Sequence, residues 1–152
     1  MPACSIDTPA GPLLIVESGG AIAETRFTDS HEPDADDTPL LRRARIQIQA
    51  YFDDRFDRFD LPLAPARTPF QARIRAAMLA IPYGQTRSYG ELAHEAGGGP
   101  RAVGQACGAN PLQILVPCHR VVAANGIGGY GGAGGLNTKR LLLALEARAA
   151  RG

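Results

Sequence analysis

The stretch from Leu115 to Val122 constrains the chain more than any other. It is an apolar run, LVPCHRVV, interrupted by one thiol, one imidazole and one guanidinium. The apolar flanks predict burial, and Pro117 predicts a turn at Cys118, because proline fixes φ and removes a backbone donor. A neighbouring base or positive charge favours the nucleophilic thiolate. Two interpretations follow: an activated nucleophile, or a buried structural cysteine that happens to precede a histidine.

The composition excludes several classes of protein. The chain has 152 residues, of which 45% are hydrophobic, so it can bury one medium core or two small ones. Its three cysteines form no CxxC pair, which argues against a disulfide framework and fits a reducing cytoplasm. The sequence shows no signal peptide and no apolar run long enough to cross a bilayer. We therefore expect a cytoplasmic protein without a membrane partner.

Charge is distributed unevenly along the chain. Residues 1–68 hold seven Arg and twelve Asp or Glu, a balance of −5, whereas residues 69–152 hold nine Lys or Arg and three Glu, a balance of +6. A basic half that follows an acidic half predicts two domains, of which the second binds a polyanion. Chance clustering of solvated charges is the alternative.

The first part of the chain predicts a hairpin and a helix. Two β-compatible runs, 12–16 and 21–27, flank a Gly-Gly pair that is typical of a tight turn. Thr38-Pro39 predicts a helix N-terminus, because Thr caps the first free amides and Pro suits the first helical position. The face of this helix that we expect to be buried consists of Leu41, Ala44, Ile48 and Phe52.

Two polar segments separate these elements from the rest. Residues 31–37 carry four acids and a proline and predict an exposed loop. The segment 53–69 is rich in Asp, Pro and Arg, and we interpret it as a linker with the domain boundary near Pro65. The predicted domains are therefore 1–65 and 66–152.

The second domain opens with helix signals that lie close together. Thr68-Pro69 repeats the cap-and-proline pattern, and its helix should continue until Pro82. Ser88 and Glu91 predict a capping box at the start of a short helix. A run of three glycines and Pro100 then predict a turn and another short helix. Two short helices joined by a glycine turn match the helix-turn-helix pattern.

The end of the chain completes this pattern. Residues 125–135 are dominated by glycine and suggest the wing of a winged helix-turn-helix. We predict that Asn137-Thr138 caps a last helix. Its inward face should consist of Leu141, Leu142, Leu145 and Ala149.

A cysteine nucleophile needs a base, and the base needs an orienting carboxylate. Cys118 and His119 supply the first two, and the second domain has three acids. Glu91 belongs to its cap and Glu95 lies on the same exposed helix, which leaves Glu146; its alternative role is a solvated helix charge. Zinc is the rival for a Cys/His pair, but the remaining cysteines and histidines lack ligand spacing, so we predict no metal.

Several further motifs surround this stretch in the second domain. They are Thr-Pro-Phe-Gln at 68–71, Ile-Pro-Tyr-Gly-Gln-Thr at 81–86, Ser-Tyr-Gly-Glu-Leu-Ala at 88–93, Arg-Ala-Val-Gly at 101–104, Asn-Pro at 110–111, Pro-Cys-His-Arg at 117–120 and Gly-Tyr-Gly-Gly at 129–132. Together they closely resemble the O6-alkylguanine-DNA alkyltransferases, also called methylated-DNA–protein-cysteine methyltransferases. The resemblance is strong from about residue 68 to 146 and weaker before it.

The resemblance implies an α+β fold: a ribonuclease-H-like N-terminal domain and a C-terminal winged helix-turn-helix domain. It implies direct DNA repair without a cofactor. The protein would flip O6-alkylguanine, and also O4-alkylthymine, out of double-stranded DNA, and a cysteine would take the alkyl group once and permanently. The implied protein is a monomer that is nucleoid-associated when on DNA.

The resemblance also implies roles for individual residues. Cys118 would accept the alkyl group, while His119, through a water, and Glu146 would draw off its proton. Asn110 would support the turn that holds the cysteine; its alternative role is a simple helix stop. Stabilisation of the leaving guanine would come from Tyr89 and Lys139.

Contacts with DNA are implied in the same way. Arg101 would enter the base stack and fill the gap left by the flipped base. The small residues Gly99, Ala102 and Gly104 would allow the helix to approach the minor groove. Backbone amides near Tyr130 and Gly131 would bind the flipped base.

Two departures from the family and two rival functions stand beside this interpretation. The loop 130–136 is longer and richer in glycine than usual, and the chain has no Trp, with Ile74-Arg75 and Leu141 at the positions where relatives often carry one. One rival is a non-enzymatic, alkyltransferase-like protein that binds alkylation damage, which would lack the cysteine at 118. The other is an unrelated thiol enzyme such as a cysteine hydrolase.

Overall fold

The chain is a mixed α/β protein, as the sequence predicts. The computed structural model describes residues 1–32, 35–56, 58–131 and 133–151, with the side chains of 150 and 151 left aside. These residues form two compact units, Met1–Ala64 and Pro65–Gly152. They contain a three-stranded sheet, a two-stranded sheet and five α-helices. No helix among them is long and apolar enough to span a membrane.

The first unit contains an antiparallel sheet. Its strands are β1 (Ala3–Thr8), β2 (Gly11–Ser18) and β3 (Ala21–Phe27), in the order β1-β2-β3. The hairpin of β2 and β3 is confirmed, with Gly19 and Gly20 at positive φ in its turn. Strand β1 was not predicted, because only Cys4 of its six residues is fully buried and the strand lacks a clear alternation.

Helix α1 (Pro39–Phe52) follows the sheet, and Thr38 caps it as predicted by accepting a hydrogen bond from the Leu41 amide. The predicted buried face is wrong at one position, since Phe52 is half-buried and Tyr51 is fully buried. The reason is tertiary: Phe56 and Phe59 return to pack on the Tyr51 ring. The predicted loop 31–37 includes residues 33 and 34, which lie outside the described residues.

The second unit begins with three helices. They are α2 (Pro69–Leu79), α3 (Tyr89–Ala96) and α4 (Gly99–Gly108). Thr68 caps α2, and Ser88 and Glu91 form the predicted capping box of α3. Helix α2 ends earlier than predicted, so buried Ile81 lies beyond the helix. Within the helix Ile74 and Met78 are buried, whereas Phe70 and Ala77 are half-buried.

The turn between α3 and α4 requires glycine at Gly98. This residue has φ +88°, and a Cβ placed on it would lie 2.7 Å from the Phe70 ring. Arg73 stacks on the same ring and donates a hydrogen bond to the Ala96 carbonyl at the end of α3. The start of α2 thus contacts the turn between α3 and α4.

The nucleophile stretch lies between these helices and the last one. Cys118–Arg120 form a single 3-10 turn, and β5 (Val121–Val122) pairs in parallel with β4 (Arg87–Ser88). Helix α5 spans Gly135–Arg151. The predicted Asn137-Thr138 cap is therefore wrong, because both residues lie inside the first turn of α5, where Thr138 donates to the Ala133 carbonyl. Of its predicted inward face, Leu142 and Leu145 are buried and Leu141 and Ala149 half-buried.

We expect Gly98→Ala to destabilise the protein by more than Gly99→Ala. Both glycines have positive φ, which costs an alanine about 1–2 kcal/mol, but no atom lies within 4 Å of a Cβ on Gly99. At Gly98 the contact with the Phe70 ring adds an overpacking cost of about 1–3 kcal/mol. Urea unfolding of the two variants measures the difference, and equal losses would contradict this account of the turn.

Candidate active site

Asn110 organises the turn that leads to Cys118. Its Nδ2 donates to the carbonyls of Leu112 (3.3 Å) and Val116 (3.1 Å), and its Oδ1 accepts from the Leu112 amide (3.1 Å). Ile114 has φ +72°, a left-handed conformation that a β-branched residue rarely adopts. The Asn110 side chain therefore replaces regular backbone pairing and holds a strained loop.

The Cys118 side chain is buried, with a relative exposure of 7%. Burial raises the pKa of this thiol, while a hydrogen bond with Asn110 and the charge of Lys139 act in the opposite direction without overcoming it. The resting group is therefore a neutral thiol. It needs a base before it can act as a nucleophile.

His119 is completely buried and bound to Glu146. Its Nε2 lies 2.5 Å from Glu146 Oε2, and Nδ1 has no hydrogen-bond partner among the described residues. Burial lowers the pKa of His119, although Glu146 opposes this effect, so the ring is neutral. A carboxylate at Nε2 selects the tautomer with the proton on Nε2, which leaves Nδ1 as a proton acceptor.

Arg120 completes this cluster, which we call the His-Arg-Glu cluster: His119, Arg120 and Glu146. Arg120 Nε donates to Glu146 Oε1 (2.7 Å), Nη2 donates to Oε2 (3.1 Å), and Nη1 donates to the Ile81 carbonyl (2.9 Å). Burial alone would raise the pKa of Glu146, but His119 and Arg120 lower it to about 2. The predicted carboxylate is thus ionised and in contact with the histidine.

The structure brings Tyr89 and Lys139 together beside the glycine loop. The Lys139 ammonium is buried, donates to the carbonyls of Val121 (2.7 Å) and Gly129 (2.9 Å), and lies 5.9 Å from the centre of the Tyr89 ring. Burial raises the pKa of Tyr89, which therefore stays a hydroxyl donor. Gly128 has φ +77°, and a Cβ there would lie 2.7 Å from the Tyr89 oxygen, so the loop crosses Tyr89 at a distance only glycine permits.

The glycine loop is also hydrogen-bonded to the turn that leads to Cys118. Gln113 donates to the Gly131 carbonyl (2.8 Å), next to Tyr130, whose hydroxyl is buried without a hydrogen-bond partner among the described residues. The role of Gln113 was missed, although one polar residue inside the apolar run 112–116 was a signal for it. Gly132, part of the predicted Gly-Tyr-Gly-Gly motif, lies outside the described residues.

Of the residues predicted to contact DNA, Tyr89 begins α3 and the other four lie on α4. Arg101 is exposed in its first turn, and Gly99, Ala102 and Gly104 are half-buried. A Cβ on Gly99 or Gly104 would meet no atom within 4 Å, so the space beside both is open. Elsewhere, Cys107 packs its sulfur against that of Met78 (3.7 Å). Among the described residues no three His, Cys, Asp or Glu side chains cluster as metal ligands.

Comparison with known proteins agrees with this geometry. Residues 69–148 match the family model described as the DNA binding domain of 6-O-methylguanine DNA methyltransferase. The chain is 45% identical over 150 residues to the methylated-DNA–protein-cysteine methyltransferase of Mycobacterium tuberculosis, covering 93% of this chain and 90% of the relative. The chain belongs to this family. The enzyme of the same name from Methanosarcina acetivorans is 40% identical, covering 92% and 94% of the two chains.

Solved structures give the same family. The crystal structure of the M. tuberculosis O6-methylguanine methyltransferase has a TM-score of 0.86 and 41% identity, covering 97% of this chain and 93% of the other. The structure of M. tuberculosis OGT in complex with DNA has a TM-score of 0.84 and 44% identity, covering 95% and 92%. The family resemblance in the sequence is therefore confirmed.

We expect Glu146 to dominate the loss of stability in acid. Because its pKa falls from 4.5 to about 2 on folding, its contribution is complete above pH 4.5 and is lost as the pH falls towards 2. That contribution is about 3 kcal/mol. Urea unfolding between pH 2 and pH 6 should show a shallower pH dependence for Glu146→Gln than for the native chain. Glu95→Gln, at an exposed carboxylate, is the control and should leave the slope unchanged.

Proposed function

We propose that this protein repairs DNA by transferring the alkyl group of O6-alkylguanine, and of O4-alkylthymine, to Cys118 in a single turnover. The observation that carries the proposal is a buried thiol next to a neutral histidine that is held by an ionised carboxylate, in a chain of the methylated-DNA–protein-cysteine methyltransferase family. The enzyme is thus a methylated-DNA–[protein]-cysteine S-methyltransferase, and its partner is double-stranded DNA.

The proposed reaction is a direct displacement at the alkyl carbon. The Cys118 proton passes to Nδ1 of His119 through a water, and the sulfur attacks the carbon attached to O6. The S–C bond forms as the C–O6 bond breaks, and the bonding electrons stay on the guanine. The guanine then takes one proton from water at N1 and the imidazolium of His119 returns one proton to water, so the thiol proton is in effect transferred to the base. The atoms balance without a cofactor, and the thioether has no leaving step, so each molecule reacts once.

Tyr89 and Lys139 act on the leaving guanine in this proposal. Negative charge that develops on the base spreads to N3, where the Tyr89 hydroxyl donates a hydrogen bond. Lys139 supports the charge from behind the Tyr89 ring, and it fixes the loop through the Gly129 carbonyl. Backbone amides near Tyr130 and Gly131 bind the edge of the flipped base. Asn110 holds the turn that aims the sulfur.

The proposed DNA contact is made by α4. Arg101 inserts into the stack and offsets an unpairing cost of a few kcal/mol, while Gly99, Ala102 and Gly104 let the helix approach the minor groove. The glycine turn between α3 and α4, together with the β4–β5 pair, supports a winged helix-turn-helix domain at 66–152. The sheet and helix α1 support a ribonuclease-H-like domain at 1–65. We propose a cytoplasmic monomer, nucleoid-associated when on DNA.

The first measurement is intact-protein mass after incubation with a duplex that carries one O6-methylguanine. The native chain should gain one methyl group, and Cys118→Ala should gain none. Cys107→Ala, which removes the thiol beside Met78, is the matched control and should still gain one. Tight binding to the lesion without any mass change would instead favour the damage-binding function. The presence of a cysteine at 118 argues against that function, because such proteins would lack it.

A second measurement tests Tyr89. We expect Tyr89→Phe to slow single-turnover transfer by about 100-fold, as expected for loss of one donor to developing negative charge. Alkylation of Cys118 by iodoacetamide and affinity for undamaged DNA should not change, because the thiol and α4 are untouched. If iodoacetamide alkylation slowed in parallel, Tyr89 would act on the thiol and not on the leaving base.

A further inference from the structure

Arg120 binds both oxygens of Glu146, the same carboxylate that holds His119. We propose that Arg120 is a positioning residue that keeps His119 neutral, and so able to accept the Cys118 proton, by balancing the charge of Glu146. The inference rests on the proposed alkyl transfer and deepens it. Arg120 also donates a hydrogen bond to the Ile81 carbonyl.

Burial strengthens the effect of the Glu146 carboxylate on the protonation of His119. His119 and Glu146 have relative exposures of 0% and 1%, so water does not screen their interaction. An unbalanced carboxylate within hydrogen-bond distance raises the pKa of an imidazole by about 1–3 units. Such a rise would offset the lowering of the pKa by burial and favour the imidazolium, which could not take a proton from the thiol.

The guanidinium of Arg120 lies where its positive charge balances the Glu146 carboxylate. Arg120 lies in the 3-10 turn directly after His119, and its two hydrogen bonds to Glu146 occupy lone pairs on both oxygens. Its third bond, to the Ile81 carbonyl, and its stacking 5.5 Å from the centre of the Tyr83 ring fix the plane of the group. The backbone amide of Gly84 also donates to Glu146 Oε1 (3.3 Å). The carboxylate is therefore balanced by a full charge at a fixed position.

The other charged groups that face His119 act in known directions. Lys139, from α5, donates to the carbonyls of Val121 and Gly129 and disfavours protonation of the imidazole. Glu146, from the same helix, favours protonation, and Cys118 is neutral until it reacts. Only Arg120 both contacts Glu146 and opposes its effect on the imidazole among the described groups. Its charge therefore acts together with burial, which is the larger effect, to keep the pKa of His119 low against the pull of Glu146.

The charge balance between Arg120 and Glu146 also favours transfer of the Cys118 proton to His119. Before the reaction, Arg120 and Glu146 form a pair without net charge beside a neutral imidazole and a neutral thiol. After the transfer the imidazolium lies between Glu146 and the new thiolate, which is consumed when the S–C bond forms. With Arg120 absent, a resting imidazolium would already neutralise Glu146, and the thiol would have no acceptor.

The test compares Arg120→Gln with Arg120→Lys. Glutamine keeps a donor to Glu146 but removes the charge, whereas lysine keeps the charge and loses the two-bond geometry. The rate of single-turnover methyl transfer is measured from pH 5 to pH 9, and the protonation of His119 is followed by ¹⁵N NMR. In Arg120→Gln the acidic limb of the rate profile and the His119 titration should both move up by about 1–3 pH units. In Arg120→Lys the acidic limb of the rate profile and the His119 titration should both stay near their positions in the native chain.

A uniform loss of rate in Arg120→Gln, with the acidic limb and the titration unmoved, would show a structural role only and overturn the inference. Should that variant fail to fold, Glu146→Gln is compared with the double variant Arg120→Gln/Glu146→Gln. The inference then requires His119 to titrate at higher pH in the double variant, and equal titrations would overturn it. Absence of methyl transfer by the native chain at every pH would instead reject the proposed function, while the NMR titrations would still test Arg120.

Discussion

The buried carboxylate of Glu146 is the interaction on which the rest of the second unit depends. It accepts hydrogen bonds from His119, Arg120 and the Gly84 amide, so helix α5, the 3-10 turn and the segment after α2 converge on two oxygen atoms. A buried charge without partners would cost several kcal/mol, and breaking such a pair by removing one partner costs about as much. The fold around the nucleophile and the protonation state of the histidine therefore have one physical origin.

Short-range sequence signals were sufficient to predict the helix starts, because these depend on neighbouring residues. Thr38, Thr68 and the Ser88–Glu91 pair each predicted a helix start, because a cap involves residues no more than three positions apart. Glu146 could be selected as the partner of His119 by elimination, since the second domain offers few acids.

The sequence could not resolve features that distant residues decide. Tyr51 replaced Phe52 in the core because Phe56 and Phe59 fold back onto it. The start of α5 was misplaced because Asn137 and Thr138 are good caps by residue type, yet the chain already turns at Gly134, where φ is +86°. Arg120 and Glu146 are 26 residues apart in the sequence, and no sequence spacing predicts that they form two hydrogen bonds.

The parallel pairing of β4 with β5 is only two residues long, yet it joins the segment after Cys118 to the segment before Tyr89. Arg87 pairs with Val121 and Ser88 with Val122, so the nucleophile precedes one strand and Tyr89 follows the other. The ladder therefore links the proposed nucleophile to the residue that we propose stabilises the leaving base. A slip of one residue in its register would turn every side chain of the slipped strand to the opposite face. The groups proposed to react would then be chemically intact, but the two segments that carry them would no longer be held in this arrangement.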